Sequence, residues 1–346
     1  MELGIVGLPR SGKTSLFGAL TGQGLETGGP SRRKHTSTVK VPDERVDDLA
    51  GIYKPRKTTH AEVVFVDPGG EPPEAGERAI LPEAVTAVLR DVDALVHVVR
   101  AFQDPSVARG PTSTSPAGDV AAFEQELILR DLGLVEKRLE RLRKEHRPEG
   151  AAELALLERV LAQLDAARPV RDLEWSEEQL GRLRGFQLMS LKPLLVVLNV
   201  GEEALEAPAV PEVPGALRLC AKIEREIAEL QPEEQREFLQ QLGLERPARE
   251  VFIRRAYELL HLISFFTVGE DEVRAWPVRE GATALVAAGK IHSDIKRGFI
   301  RAEVIHYHDF LRVGSLSAAK AQGLLRLEGK EYRVRDGEIV HFRFSV

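Results

Sequence analysis

The first twenty residues contain the pattern that most restricts how this chain can fold. Gly7 to Thr14 fits G-x-x-x-x-G-K-[ST], and the apolar run Leu3 to Val6 just before it predicts a buried strand. The residues that follow, Thr14 to Leu20, can open a helix. Strand, glycine-rich loop and helix in this order, with further strand and helix alternation downstream, predict an α/β fold with a mostly parallel sheet.

The same loop has the chemistry of a phosphate-binding site. Glycines let backbone N–H groups point inward, and the N-terminus of the following helix favours an anion. We expect Lys13 to reach the β- and γ-phosphates of a nucleoside triphosphate and the Thr14 hydroxyl to ligate Mg²⁺. The predicted phosphate-binding residues are Pro9, Arg10, Ser11, Gly12, Lys13, Thr14 and Ser15.

A second part of a nucleotide site follows the next buried strand. Ala61 to Val66 is an apolar run that ends at Asp67, and Gly70 lies three residues further on. Beside a phosphate loop, Asp67 is expected to hold Mg²⁺ through its water shell, and the Gly70 N–H is expected to contact the γ-phosphate. Gly70 and Lys13 are therefore the predicted catalytic groups. The same residues also favour a simple turn, but the phosphate loop makes the nucleotide role the better interpretation.

Composition limits the class of protein and its partners. The 346 residues are 43% hydrophobic and 29% charged, which is typical of a globular protein of two or three domains. A formal net charge of −6 gives no general attraction to DNA or to anionic lipid. Cys220 is the single cysteine, and no run of about 18 apolar residues is present. We expect a cytoplasmic protein with no membrane partner.

Further apolar runs extend the predicted sheet. Asp93 to Val99, Leu194 to Leu198 and Leu217 to Cys220 are each short and apolar, which is typical of parallel strands covered on both faces. Helices are expected to continue to about Ser264. From Thr267 onward the pattern predicts short strands, turns and one helix, consistent with a separate small domain.

A long helical stretch interrupts the α/β pattern between Asp119 and Arg168. Leucines at helical spacing and a break at 148–150 predict a helical hairpin inserted into the nucleotide domain. Its basic run, from Lys137 to Arg147, could meet RNA phosphates, but the interleaved glutamates favour a solvated helix face. The predicted domains are 1–118, 119–188 (the hairpin), 189–265 and 266–346.

Several short motifs together match one known family. They include Gly4 to Pro9, Phe65 to Asp67, His97 to Arg100, Asn199 to Glu202, Cys220 to Glu229, Ala288 to His292, and Gly298 to Glu303. Through these motifs the chain resembles the YchF/Obg-like ATPase family of P-loop NTPases over nearly its whole length. The resemblance implies ATP or GTP as ligand, a C-terminal TGS domain of the β-grasp type, and a ribosome or RNA partner met through the hairpin and the TGS domain.

The resemblance also implies which residues read the base. Related GTPases use N-K-x-D, and the family has N-x-x-E instead, which Asn199 and Glu202 match. A changed base-edge acceptor is expected to relax or reverse the preference for guanine. Cys220 to Lys222 matches the family's S-A-K loop beside the base. The predicted base-binding residues are Asn199, Val200, Glu202, Cys220, Ala221 and Lys222.

Departures from the family pattern bear on hydrolysis. In the family, the first switch segment carries a threonine in a recognisable aromatic and cysteine context. This context is absent here, so Ser31, Thr36 and Thr38 are only candidates for sensing Mg²⁺. After Gly70 the chain continues with Glu71-Pro72-Pro73-Glu74, and no glutamine is in the position that orients water in many GTPases. The leading interpretation is a slow Mg²⁺-dependent nucleoside triphosphatase that acts as a translation-linked switch. The alternatives are a nucleotide-binding module with little or no turnover and, less favoured, a small-molecule P-loop kinase.

Overall fold

The computed structural model describes residues 1–22, 34–69, 80–103, 115–145, 150–204 and 213–345. Several predicted features lie wholly or partly outside these residues: the candidate Ser31, the catalytic Gly70, the acidic segment Glu71 to Glu74, the end of the basic run at Arg147, and most of the break at 148–150. Their roles therefore stay predictions.

The described strands and helices follow the alternation expected from the sequence. The strands are β1 (Glu2–Val6), β2 (His35–Lys40), β3 (Lys57–Thr59), β4 (Glu62–Asp67), β5 (Ala94–Ala101), β6 (Leu194–Val200), β7 (Leu217–Leu219), β8 (Leu262–Thr267), β9 (Glu272–Arg279), β10 (Phe299–His306), β11 (Arg326–Glu328) and β12 (Glu338–Phe344). The α-helices are α1 (Lys13–Thr21), α2 (Glu44–Tyr53), α3 (Glu83–Asp91), α4 (Pro116–Glu145), α5 (Ala151–Asp165), α6 (Glu177–Leu183), α7 (Ala221–Glu229), α8 (Pro232–Gln241), α9 (Ala248–Leu259), α10 (Ala284–Ile291), α11 (Ser293–Arg297), α12 (Tyr307–Val313) and α13 (Leu316–Ala321).

The chain divides into two compact units. The first comprises Met1–Ser37 and Val64–Arg249, and the second comprises Thr38–Val63 and Glu250–Val346. This division differs from the sequence-based boundaries, because residues 38–63 join the C-terminal unit and because the boundary at 266 falls inside β8. The four-part division of the sequence stays a prediction.

The first sheet has the strand order β2-β4-β1-β5-β6-β7. Strand β1 pairs in parallel with both β4 and β5, and β5–β6 and β6–β7 are parallel as well. The strands β1, β4 and β5 are almost entirely buried, as a parallel sheet covered on both faces requires. The mostly parallel α/β sheet predicted from the sequence is confirmed. Its parallel strands place the residues after β1, β4 and β6 at one edge.

The inserted helices form their own apolar cluster. Helices α4 and α5 pack through residues such as Val135, Leu139, Leu157 and Val160, all of which are buried. Basic side chains of the hairpin pair with glutamates: Arg138 with Glu153, Arg143 with Glu158 and Lys144 with Glu140. These pairs agree with the solvated, ion-paired face that the interleaved glutamates favour.

The second sheet has the strand order β11-β10-β12-β8-β9-β3. The sequence predicted helices to about Ser264, and the end of this prediction was wrong: α9 ends at Leu259, and strand β8 begins at Leu262. Its apolar and aromatic residues pair antiparallel with β9, from Leu262 opposite Arg279 to Thr267 opposite Arg274. Strand β8 also pairs in parallel with β12, with Phe266 opposite Ile339, and such a partner from far along the chain overrides a local helical pattern. The prediction of one C-terminal helix was also wrong, since α10 to α13 all follow Thr267.

Within the part of the chain that the structure describes, no helix is long and apolar enough to cross a membrane.

Candidate nucleotide site

The glycine-rich loop is held in a shape that few residues other than glycine can adopt. Gly7 has φ 150° and Gly12 has φ 96°. A Cβ on Gly7 would lie 2.2 Å from the Val98 carbonyl oxygen, and a Cβ on Gly12 would lie 2.1 Å from Asn199 Nδ2. Glycine is required at both positions because the backbone turns left-handed and because neighbouring groups approach it closely. The loop is thus packed against β5 and β6.

Helix α1 begins directly after this loop. Its N-cap residue is Gly12, which has no side chain to cap the helix, and the first turn contains no acidic residue. The first N–H groups of a helix have no partner inside the helix. Those of Lys13, Thr14 and Ser15 are therefore directed out of the N-terminus, where the helix dipole favours an anion.

Lys13 folds back over the loop. Its ammonium donates to the carbonyl oxygens of Gly7 at 2.8 Å and Leu8 at 2.9 Å. Burial lowers the pKa of Lys13 from 10.5 to about 8, and the nearby carboxylate of Asp67 opposes this shift. An ammonium has three donors, so two bonds to the loop leave one for a phosphate oxygen.

The residues predicted to hold the metal come from neighbouring elements. Asp67 ends β4, is 4% exposed, and one of its carboxylate oxygens accepts the Gly69 N–H at 3.0 Å. Thr14 is in the first turn of α1, which follows β1, and β1 pairs with β4 at Gly4 and Val66. A hydroxyl and a carboxylate oxygen are hard ligands that suit Mg²⁺ together with phosphate oxygens and water. The donor set therefore fits the ion.

Asn199 connects the phosphate loop to the predicted base-binding loop. From the end of β6 its Nδ2 donates to the Ser11 carbonyl oxygen at 2.9 Å, and its Oδ1 accepts the Ala221 N–H at 3.0 Å. The side chain is 5% exposed, so both polar ends are committed to backbone groups. The geometry assigns Asn199 a positioning role between two loops, which the sequence did not reveal.

Glu202 and Lys222 face each other across the same loops. The Lys222 ammonium lies 2.6 Å from a carboxylate oxygen of Glu202, and both side chains are exposed. This hydrogen bond raises the pKa of Lys222. The pair places an acceptor and a donor side by side at the surface, which is the kind of arrangement that can read a base edge.

The remaining predicted residues differ in what they expose. Pro9 and Arg10 are exposed at the rim of the loop, and Arg10 has a left-handed φ of 63°. Ser11 is 1% exposed, and its hydroxyl has no hydrogen-bond partner among the described residues. The side chains of Val200 and Cys220 pack in one apolar cluster, so these two residues can offer only backbone atoms to a ligand.

His97 is a buried polar residue to which the sequence gave no role. It lies on β5 opposite Val6, is fully buried, and stacks on Phe123 with ring centroids 4.1 Å apart. Neither ring nitrogen has a hydrogen-bond partner among the described residues. Burial, followed by the positive charge of Lys13, lowers the pKa of His97 to about 3. A neutral imidazole therefore lies below the phosphate loop.

Comparison with known proteins gives one consistent family. Residues 2–129 match the family model MMR_HSR1, described as a 50S ribosome-binding GTPase, and residues 262–345 match YchF-GTPase_C, described as a protein of unknown function. The chain is 38% identical to the ribosome-binding ATPase YchF of Bacillus subtilis, with all of both chains covered. It is 40% identical to the protein of the same name from Haemophilus ducreyi, covering 100% of this chain and 99% of the relative.

A solved structure agrees with these relatives. The YchF GTPase of Schizosaccharomyces pombe superposes with a TM-score of 0.86 at 29% identity, covering 99% of this chain and 97% of that one. The parallel sheet and the glycine-rich loop before α1 define a P-loop nucleotide-binding protein of the GTPase class. Within that class, the chain belongs to the YchF family.

Proposed function

We propose that this protein binds a purine nucleoside triphosphate with Mg²⁺, hydrolyses it slowly, and uses the nucleotide state to regulate an interaction with the ribosome. The observation that carries the proposal is the Asn199 side chain, which joins the phosphate loop at Ser11 to the base loop at Ala221. A ligand that fills one loop is thereby linked to the conformation of the other.

Each part of the nucleotide has a proposed partner. Lys13 and the N–H groups at the start of α1 bind the phosphates, Thr14 and Asp67 hold Mg²⁺, and Glu202 with Lys222 faces the base. Mg²⁺ would neutralise phosphate charge and orient the γ-phosphate. The relatives called ribosome-binding ATPases support ATP as the nucleotide and the ribosome as the partner. A ribosomal partner implies a cytoplasmic location.

Equilibrium binding tests the base-reading assignment. We expect the wild-type protein to bind one of ATP and GTP at least about tenfold more tightly, a difference of about 1.4 kcal/mol. Glu202→Ala should remove this difference, and removal of Mg²⁺ should weaken binding of both nucleotides. Glu203→Ala, which removes a carboxylate one residue away, is the matched control and should keep the preference. If Glu202→Ala keeps the same ratio of ATP affinity to GTP affinity as the wild-type protein, the assignment of Glu202 to base reading is wrong.

Phosphate release tests turnover separately from binding. Wild-type protein should release phosphate slowly, and Lys13→Ala should abolish the signal. If nucleotide binds but no phosphate is released above the Lys13→Ala background, the protein is a nucleotide-binding regulatory module.

Cosedimentation with purified ribosomes in the presence of ATP, ADP or no nucleotide tests the partner. Cosedimentation that does not depend on the nucleotide would contradict the proposal that the nucleotide state regulates ribosome binding.

A further inference from the structure

We propose that the C-terminal sheet binds an extended peptide of a partner protein, which adds as a strand to the free edge of β12. This interaction is separate from the nucleotide site and does not depend on it. It rests on backbone groups along β12 that no described strand pairs with, on a cleft beside them, and on a lysine at the rim that has no ion pair among the described residues.

The first observation is that β12 extends beyond its neighbour β8. These two strands are parallel and pair at Ile339 and Phe266, but β8 ends at Thr267 whereas β12 continues to Phe344. On its other edge β12 pairs with β10 along its full length, from Glu338 to Phe344. Within residues 213–345, no strand covers the β8-side edge of β12 after Val340.

The direction of the backbone groups follows from one hydrogen bond. The Ser345 N–H donates to the Gly298 carbonyl oxygen at 3.0 Å, on the side of β10. N–H and C=O groups of successive residues in a strand point to opposite edges, and the register irregularity in this pair lies on β10. The N–H and C=O groups of Phe342 and Phe344 therefore point to the free edge, where only another strand can pair with them regularly.

The second observation is a cleft of about 600 Å³ along this edge. It reaches both faces of the sheet. Trp276, Ile291 and Ile295 pack in one cluster with Phe342, so they lie on the face to which Phe344 also points. Leu325 lies two residues before Leu327, which is opposite Glu303, so it lies on the other face, and the helix that leads to it, α13, contributes Leu316 and Lys320. An added strand directs alternate side chains to opposite faces. Phe344 is 44% exposed, so the apolar wall has surface available for an apolar side chain.

The third observation is the charge at the rim. Glu303 is paired with Arg343, and Glu272 accepts a hydrogen bond from Thr59 at 2.6 Å, so these carboxylates are already committed. Lys320 is exposed and has no ion pair with a carboxylate among the described residues. The cleft therefore favours a peptide with apolar residues on the face of Trp276 and an acidic residue on the face of Lys320.

A library of ten-residue peptides displayed on phage, selected against the full chain, provides the probe. We expect the selected peptides to place apolar residues on the face of Trp276 and an acidic residue on the face of Lys320. Bound peptides should also protect the amides of Phe342 and Phe344 from hydrogen exchange. N-methylation of the peptide amides that face β12 should abolish binding, whereas methylation of the alternate amides should not, because only the first set donates to β12.

Two pairs of variants locate the interaction. Phe344→Pro removes an edge-facing N–H and should weaken binding about tenfold, while Phe344→Leu, which keeps that N–H, should retain most of it. Lys320→Glu should weaken binding of the acidic peptide about fivefold, whereas Lys330→Glu, the same charge change at another exposed lysine of the unit, should not. Circular dichroism of each variant shows whether it folds.

Three results would overturn the proposal. The selection could yield no peptide that protects Phe342 and Phe344. Light scattering could show that the free chain dimerises and that Phe344→Pro restores the monomer, in which case a second copy occupies the edge. A single-stranded RNA oligonucleotide could protect the same amides and displace the peptides, in which case the cleft binds nucleic acid. None of these results depends on whether ATP or GTP binds.

Discussion

At the scale of single residues, the phosphate loop depends on Gly12 for two separate reasons. Its φ of 96° is unfavourable for any residue with a Cβ, and that Cβ would overlap Asn199 Nδ2. Gly22, at the other end of α1, has φ 64°, but no atom of the described residues lies within 4 Å of a Cβ placed there. The two positions therefore separate backbone strain from the loss of the Asn199 contact.

We predict that Gly12→Ala weakens nucleotide binding at least about tenfold, because the alanine displaces Asn199 from Ser11. Gly22→Ala should cost only the strain of a left-handed alanine, about 1–2 kcal/mol of stability, and leave binding nearly unchanged. Isothermal titration with ATP and GTP measures the first effect, and urea unfolding measures the second. Similar affinities in both variants would show that the Asn199 contact does not control binding.

His97 predicts a specific pH dependence of stability. Its pKa is about 3 in the folded chain and 6.5 ordinarily, so the unfolded state takes up a proton below pH 6.5 that the folded state does not. The free energy of unfolding should therefore fall as pH decreases from 6.5 towards 3. Between pH 7 and pH 5, uptake of this proton by the unfolded state should lower the free energy of unfolding by about 2 kcal/mol.

The His97→Leu variant lacks the titrating group and has an apolar side chain of similar size in its place. Its free energy of unfolding should therefore fall by about 2 kcal/mol less than that of the wild-type protein between pH 7 and pH 5. His341→Leu, at an exposed position, is the control and should behave as wild type. Urea unfolding at the two pH values gives the comparison. An unchanged pH dependence in His97→Leu would show that His97 is protonated in the folded protein.

At the scale of elements, Asp131 attaches the inserted helix α4 to the segment that leads into β6. Its carboxylate accepts the N–H groups of Met189 at 2.9 Å and Ser190 at 2.7 Å, together with the Ser190 hydroxyl at 2.6 Å. Asp131 is 2% exposed, and burial raises its pKa although these three donors oppose the shift. Three buried donors would lose their partner if this carboxylate were removed.

Asp131→Ala should therefore lower the free energy of unfolding by about 3 kcal/mol. Glu178→Ala removes an exposed carboxylate that pairs with Arg182 on α6, and it should cost less than about 0.5 kcal/mol. Urea unfolding followed by circular dichroism checks both values. Equal small losses in the two variants would mean that water replaces the bonds to Asp131.

At the scale of the whole molecule, residues 38–63 are part of the C-terminal unit although they lie between α1 and Asp67 in the chain. Strand β3 pairs in parallel with β9, from Lys57 opposite Glu272 to Thr59 opposite Arg274. On α2, Arg45 bonds to Asp43 and Asp336 and lies over the Phe266 ring. The segment covers an edge of the second sheet and forms ion pairs there.

We expect residues 250–346 alone to unfold at least about 10 °C below the same unit with residues 38–63 joined to it by a flexible linker. The reason is that the isolated piece exposes the edge of β9 and leaves Asp336 without Arg45. Thermal unfolding by circular dichroism and the dispersion of amide resonances compare the two polypeptides. Matching midpoints would show that residues 38–63 contribute nothing to the stability of this unit.

Features that depend on short, continuous stretches of residues could be predicted without knowledge of the fold. The strand, loop and helix from Leu3 to Leu20, the apolar strands of the first sheet and the helical hairpin all follow from local patterns, and the structure has each of them. Glycine spacing and apolar periodicity act over a few residues, so they can be interpreted before any tertiary contact is known.

Contacts between residues far apart in the sequence could be identified only in the folded chain. The two bonds of Asn199, the stacking of His97 on Phe123, and the pairing of β3 with β9 each join segments far apart in the sequence. The start of strand β8 was misassigned for the same reason, because its distant partner β12 selects the extended conformation. Local propensity differs between helix and strand by less than about 1 kcal/mol per residue, so long-range pairing decides such segments.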